Sequence, residues 1–121
     1  MTKVLLVEDD AWLAMLEVKI LTEAGCEVSH AAHAYSAIEI IDENTPDVLI
    51  VDVLLTGSTG LALLHELQSY VDTKQIPVIV CTNLAESLSL EDVKAYGVRR
   101  IIDKTTMIPD DLVAAVRALT V

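Results

Sequence analysis

The chain has 121 residues, 53% hydrophobic and 22% charged, with 19 Asp and Glu against 8 Lys and Arg and a formal net charge of −11 at pH 7. That length suits one compact domain burying roughly two-thirds of its unfolded-chain surface, and the apolar content excludes an intrinsically disordered chain. An acidic field repels nucleic-acid backbone and anionic lipid alike, against direct DNA or membrane binding, and no apolar run approaches the ~20 residues of a bilayer span.

Two periodicities alternate along the chain. Lys3–Val7 is a short apolar run that ends at Glu8, Asp9 and Asp10. Positions 11–24 read as an amphipathic helix with Leu13, Leu16, Ile20 and Leu21 inward and Gly25 as its stop. Cys26–Ala31 is a second, interrupted strand, and Ala34–Glu43 a second helix with Ala37, Ile38 and Ile41 inward, ended by Asn44-Thr45-Pro46. Val48–Val51 is the cleanest buried strand, closed by Asp52, and a loop of small residues, Thr56 to Gly60, leads to a helix with Leu61, Leu64 and Leu67 inward. Pro77–Cys81 is a fourth strand, Leu84–Tyr96 a fourth helix and Val98–Ile102 a fifth strand. Pro109 opens a last helix whose apolar stripe is Leu112, Val113 and Val116. Continuous apolar strands alternating with helices predict an α/β domain, a doubly wound parallel sheet of five strands with five helices.

In such a sheet, ligands bind beyond the carboxyl ends of the strands. The residues there are Glu8, Asp9 and Asp10, then Asp52, then Cys81-Thr82-Asn83, then Asp103-Lys104. Glu8, Asp9 and Asp52 would carry about −3 together, which like charges cannot hold without compensation. Lys104 and a bound Mg²⁺ would bring the site close to neutral, and Mg²⁺ favours this kind of oxygen set. Cys26 and Cys81 have no zinc spacing and are read as reduced, small apolar residues. His30, His33 and His65 lack the mutual spacing of a metal site and are read as ordinary.

In order and spacing, residues 3–119 resemble a response-regulator receiver domain, the CheY-like phospho-acceptor module of two-component signalling. KVLLVEDD resembles the first strand and acidic pair, which assigns Glu8 and Asp9 to metal binding. PDVLIVDVLLTGSTG resembles the third-strand segment, with the phosphorylated aspartate at Asp52 and the loop glycine at Gly60. VIVCT places the switch hydroxyl at Thr82, and RRIIDK the phosphate-binding lysine at Lys104. The resemblance implies a flavodoxin-like strand order 2-1-3-4-5, an order the chemotaxis-type receivers exemplify. It also implies Mg²⁺ held by Glu8, Asp9, Asp52 and the backbone carbonyl of Leu54. Asp52 would take a phosphoryl group from a partner phosphohistidine, with Lys104 and Thr82 completing the catalytic set.

The resemblance places a histidine kinase or histidine phosphotransfer protein on the first helix, at Ala11, Trp12, Met15 and Val18. A downstream protein would sit on the fourth helix, fifth strand and fifth helix, where Leu88, Leu90, Lys94, Tyr96, Arg99 and Arg100 stand. Residues 1–121 are expected to be a single cytoplasmic receiver domain without an output domain. Four positions depart from the family's pattern. Thr56 and Thr105 stand where proline is usual, Ile101 where an aromatic ring is usual, and Asn83 is larger than the residue usual beside the switch hydroxyl. Without proline, the Lys104–Thr105 bond is expected to be trans, or its loop strained. Leu54 and Leu84 on the rim are expected to exclude water and slow hydrolysis of the phosphoryl group. The Thr56, Thr105 and Ile101 departures support an alternative, a pseudo-receiver that binds protein without phosphorylation. The intact set Glu8, Asp9, Asp52, Thr82 and Lys104 opposes it. A dehalogenase-type phosphatase would need aspartate where Glu8 stands, and flavin binding would need a phosphate cradle where the first loop is acidic.

Overall fold

The computed structural model describes residues 1–55 and 58–120, with 54, 55, 58 and 59 by backbone alone. Thr56 and the side chain of Leu54 therefore lie outside what is described. Five strands, β1 Lys3–Val7, β2 Glu27–Ala31, β3 Val48–Val51, β4 Val78–Thr82 and β5 Val98–Asp103, form one sheet in the order β2-β1-β3-β4-β5. Every neighbouring pair in it is parallel. Helices α1 Ala11–Glu23, α2 Ala34–Glu43, α3 Gly60–Leu67 and α4 Leu90–Val93 lie in the four crossovers, and α5 Pro109–Leu119 follows β5. Residues 54–55 and 58–59 pair as a small antiparallel ladder ahead of α3.

Strand side chains alternate between the two faces of the sheet, and here both faces are covered. Leu5, Val7, Leu49, Val51, Val78 and Val80 join the core that includes Ala37 and Ile41 of α2 and Leu63, Leu64 and Leu67 of α3. Val4, Leu6, Val48, Ile50, Ile79 and Cys81 join the core that includes Ala14 and Leu21 of α1 and Leu112, Ala115 and Val116 of α5. Two-sided burial is the reason β1, β3 and β4 read as unbroken apolar runs. Gly25 ends α1 with φ at +94°, a conformation L side chains rarely adopt.

Two helices differ from expectation. On α1 the buried residues are Ala14, Glu17 and Leu21, while Leu16 is 41% exposed. The helix is apolar on more than one side, so its sequence leaves the rotational phase open, and spacing 14-17-21 is the one that meets the sheet. The expected helix over 84–96 is broken into a 3-10 turn at Ala85–Ser87, α4, and a 3-10 turn at Lys94–Tyr96. Leu88 and Ser89 between them are extended, and Ser89 caps α4 by accepting the Glu91 N–H at 3.2 Å. A serine that bonds its own following backbone favours such a restart over an unbroken helix.

Candidate functional site

The carboxyl ends of β1, β3, β4 and β5 bring the expected residues together. Glu8 directly follows β1, and its N–H donates to the Ala31 carbonyl at 3.0 Å, continuing the β1–β2 ladder. Asp52 follows β3 in the same way, its N–H donating to Val7 O at 3.3 Å. Both are buried, Glu8 at 2% and Asp52 at 6% exposure, whereas Asp9 is exposed. One carboxylate oxygen from each of Glu8, Asp9 and Asp52 lies within 4.8 Å of the others.

Lys104 enters from the end of β5, positioned by its N–H donating to the Thr82 carbonyl at 3.1 Å. Its ammonium donates to Glu8 Oε1 and, at 2.6 Å, to Asp52 Oδ2. Burial alone would lower the lysine pKa, but the bonds to Asp52 and Glu8 outweigh it and hold the group up at about 12. Burial pushes the Glu8 carboxyl above its ordinary range despite the opposing bond from Lys104. Lys104 thus meets two of the three clustered carboxylates, and the cluster of Glu8, Asp9 and Asp52 is a donor set that a divalent cation would fit. Hard oxygen donors from two strand ends suit Mg²⁺, which accepts carboxylate, carbonyl, water and phosphate oxygens together.

The other strand-end residues sort themselves by neighbour. Asp10 is a helix cap, its side chain accepting the Leu13 N–H at 3.1 Å while its own N–H donates to Glu8 Oε2 at 3.2 Å. Thr82 is fully buried, and its Oγ1 accepts the Leu84 N–H at 3.1 Å. Cys81 points the other way, into the α1–α5 side, with its thiol 3.6 Å from Met107 Sδ and pushed up to about 12 by burial. Asn83 is exposed, and Leu84 is 39% exposed. Ile101 is half-buried and packs on the α2–α3 side. No described peptide bond is cis. The Lys104–Thr105 turn is held by Asp103, which accepts Thr105 N–H at 2.8 Å and Thr105 Oγ1–H at 2.6 Å. Those bonds hold the Asp103 carboxyl below its usual range.

Gly60 opens α3 directly beneath Asp52. A Cβ there would collide with the Asp52 carbonyl oxygen and lie 2.9 Å from Val53 Cα. Only glycine lets the helix start approach this closely, and the Gly60 N–H donates to Val53 O at 3.0 Å.

Two residues of this region have no site role in the sequence reading. His30, at the end of β2, places Nε2 2.8 Å from the Glu8 carbonyl oxygen, a distance at which the ring N–H donates. Glu17 is 1% exposed, and neither carboxylate oxygen has a hydrogen-bond partner. Burial, then the charge of Glu8, raises its pKa to about 7. The only signal for it is its 14-17-21 register with Ala14 and Leu21. On the outer side of α1, Trp12 and Met15 are 67% and 57% exposed with Ala11 beside them, while Val18 is half-buried against the core. Val18 is thus only partly available to a partner. Among the described residues no helix is long and apolar enough to cross a membrane.

A family model for the response regulator receiver domain matches residues 4–117. Among curated proteins, the protein-glutamate methylesterase/protein-glutamine glutaminase 3 of Geobacter metallireducens is 37% identical over 106 residues, covering 84% of this chain and 29% of that protein. The phosphate regulon transcriptional regulatory protein PhoB of Klebsiella pneumoniae is 28% identical over 117 residues, covering 97% of this chain and 51% of that one. The chain therefore spans about half the length of one of these relatives and under a third of the other. Among solved structures, the chemotaxis protein CheY4 of Vibrio cholerae superposes with a TM-score of 0.87 at 26% identity, covering 98% of both chains.

Proposed function

The chain belongs to the response regulator receiver family, and from that premise we propose that Asp52 accepts a phosphoryl group from a partner phosphohistidine, with Mg²⁺ bound, to switch a protein-interaction surface. The observation that carries this reading is Lys104 bridging Glu8 and Asp52 beside Asp9. An Asp52 carboxylate oxygen attacks phosphorus, the P–N bond breaks, and its electron pair leaves with the imidazole. The product is an acyl phosphate. Lys104, already bonded to Asp52 Oδ2, follows the negative charge onto the phosphoryl oxygens. Glu8, Asp9, Asp52 and the Leu54 carbonyl are the groups that would hold Mg²⁺, and the bound ion would supply electrostatic stabilisation of those oxygens. Positioning and charge then account for most of the catalysis, as is general for phosphoryl transfer.

Thr82 is the proposed switch hydroxyl. Its bond from the Leu84 N–H exchanges for one to the phosphoryl group, and the segment from Leu84 to Leu88 moves with it, a two-state element biased by a local charge. The kinase or phosphotransfer partner docks on the exposed apolar side of α1 at Ala11, Trp12 and Met15. The downstream protein uses α4, β5 and α5, where Leu90, Lys94, Arg99 and Arg100 are exposed. Residues 1–121 act as one cytoplasmic receiver unit.

The test is intact mass after incubation with Mg²⁺ and acetyl phosphate, beside Asp52→Asn and a chelator control. Addition of one phosphoryl group, lost in both controls, is expected. Mg²⁺ binding without modification would mean that only the cognate phosphohistidine serves as donor. Neither metal binding nor modification would favour the pseudo-receiver, to which the Thr105 and Ile101 positions already lean.

A further inference from the structure

At the opposite edge of the sheet from Asp52, the carboxyl-terminal ends of α2 and α3 border a groove of about 320 Å³. Its floor is apolar, with Ile41 and Leu67 2% and 5% exposed, and its rim carries Asp42, Glu66 and Asp72. No Lys, Arg or His is among the residues lining it. Both helices point their carboxyl-terminal, partially negative ends toward this edge, and α2 has no basic residue in its last turn. Three carboxylates and two helix ends thus set mostly negative charge around a slot that is apolar at its floor. The shape suits a group with an alkyl stem and a cationic head.

We propose that this groove seats a lysine or arginine side chain presented by a basic segment of a partner protein. The volume lies at the small end of the ~300–1,000 Å³ range of ligand cavities, room for one long side chain. At the groove mouth Tyr70 is 58% exposed, and the adjoining Val71 is 72% exposed. A free inorganic or small organic cation has no use for that apolar border, whereas a peptide covers it, and an aromatic ring beside a guanidinium adds cation–π attraction. The net charge of −11 steers such a segment toward the chain. Its seat is remote from the acidic pocket, so occupancy and phosphorylation can coexist.

The experiment is an amide NMR titration with a blocked peptide, acetyl-Leu-Arg-Leu-Arg-Leu-amide, and in parallel with argininamide. Variants are the groove triple Asp42→Asn, Glu66→Gln, Asp72→Asn and a control triple Glu23→Gln, Glu27→Gln, Glu86→Gln. All six positions are exposed and both triples remove the same charge. Retained thermal melting of each triple establishes that it is folded. The peptide is expected to shift amides within 38–45 and 66–73, to bind at least tenfold more weakly to the groove triple, and to bind the control triple within twofold of wild type. Shifts spread over the acidic surface, equal losses in both triples, or no peptide binding at millimolar concentration would overturn the proposal. Argininamide binding as tightly as the peptide would overturn it too, in favour of a small organic cation.

Discussion

Glu17 makes the most quantitative prediction. Its carboxyl is 1% exposed with both oxygens unpartnered, and burial followed by the charge of Glu8 raises it from 4.5 to about 7. A carboxyl raised on folding binds more protons in the folded than in the unfolded state between these values, so it removes stability as pH rises. The loss is absent below about pH 4, develops between pH 4.5 and 7, and is complete above 7. At 1.36 kcal/mol per pKa unit, a shift of this size corresponds to about 3 kcal/mol. Glu17→Gln keeps the shape and abolishes the titration. Urea unfolding of both proteins, followed by far-UV circular dichroism in chelator from pH 4.5 to 8, isolates the effect as the difference between the two curves. Other carboxylates titrate in both proteins and cancel. The variant is expected to gain on wild type by about 3 kcal/mol across that range and to level off above pH 7. A difference constant to within ~0.5 kcal/mol would show that Glu17 titrates as a solvated acid and refute the reasoning.

Lys104→Met should destabilise the protein by about 3–5 kcal/mol in chelator, because Glu8 and Asp52 lose their buried counter-charge, and Mg²⁺ should recover much of it; equal melting in chelator would refute this. Gly60→Ala should cost about 1–3 kcal/mol, since its Cβ collides with the Asp52 carbonyl, and should slow labelling by acetyl phosphate; an unchanged urea midpoint and rate would count against it. Leu54→Asn should speed loss of the phosphoryl group relative to wild type, read by intact mass over time, and equal rates would sink the water-exclusion idea. Trp12→Ala with Met15→Ala should slow transfer from a phosphohistidine protein while leaving acetyl phosphate labelling intact; an equal effect on both donors would remove α1 as the docking face.

Strands β1, β3 and β4 were readable because a parallel strand covered on both faces is apolar nearly throughout. Val48–Val51 is apolar throughout and ends at Asp52, the first residue to reach the open edge. Strand ends alone place Glu8, Asp52, Thr82 and Lys104 on one edge. Neighbour identity was not readable. Asp10 and Asp103 look like site acids in the sequence, yet each closes a local turn. The break at Leu88–Ser89 depends on a serine that serves equally well as a helix surface residue or as a cap.

Helix α1 resisted reading for a different reason. Leu13, Ala14, Met15, Leu16, Val18, Ile20 and Leu21 surround it with apolar groups, so more than one face could meet the sheet. A buried, unpaired glutamate is the least expected choice for the inward face, and yet Glu17 takes it. The phase that turns Glu17 inward is also the one that leaves Trp12, Met15 and Leu16 in solvent. An acid sensitive to the charge of Glu8 and Asp52 and an apolar surface suited to helix docking are therefore carried by one rigid helix. Any shift of α1 that relieves the buried acid would carry Trp12, Met15 and Leu16 with it, and with them the face proposed for docking a partner.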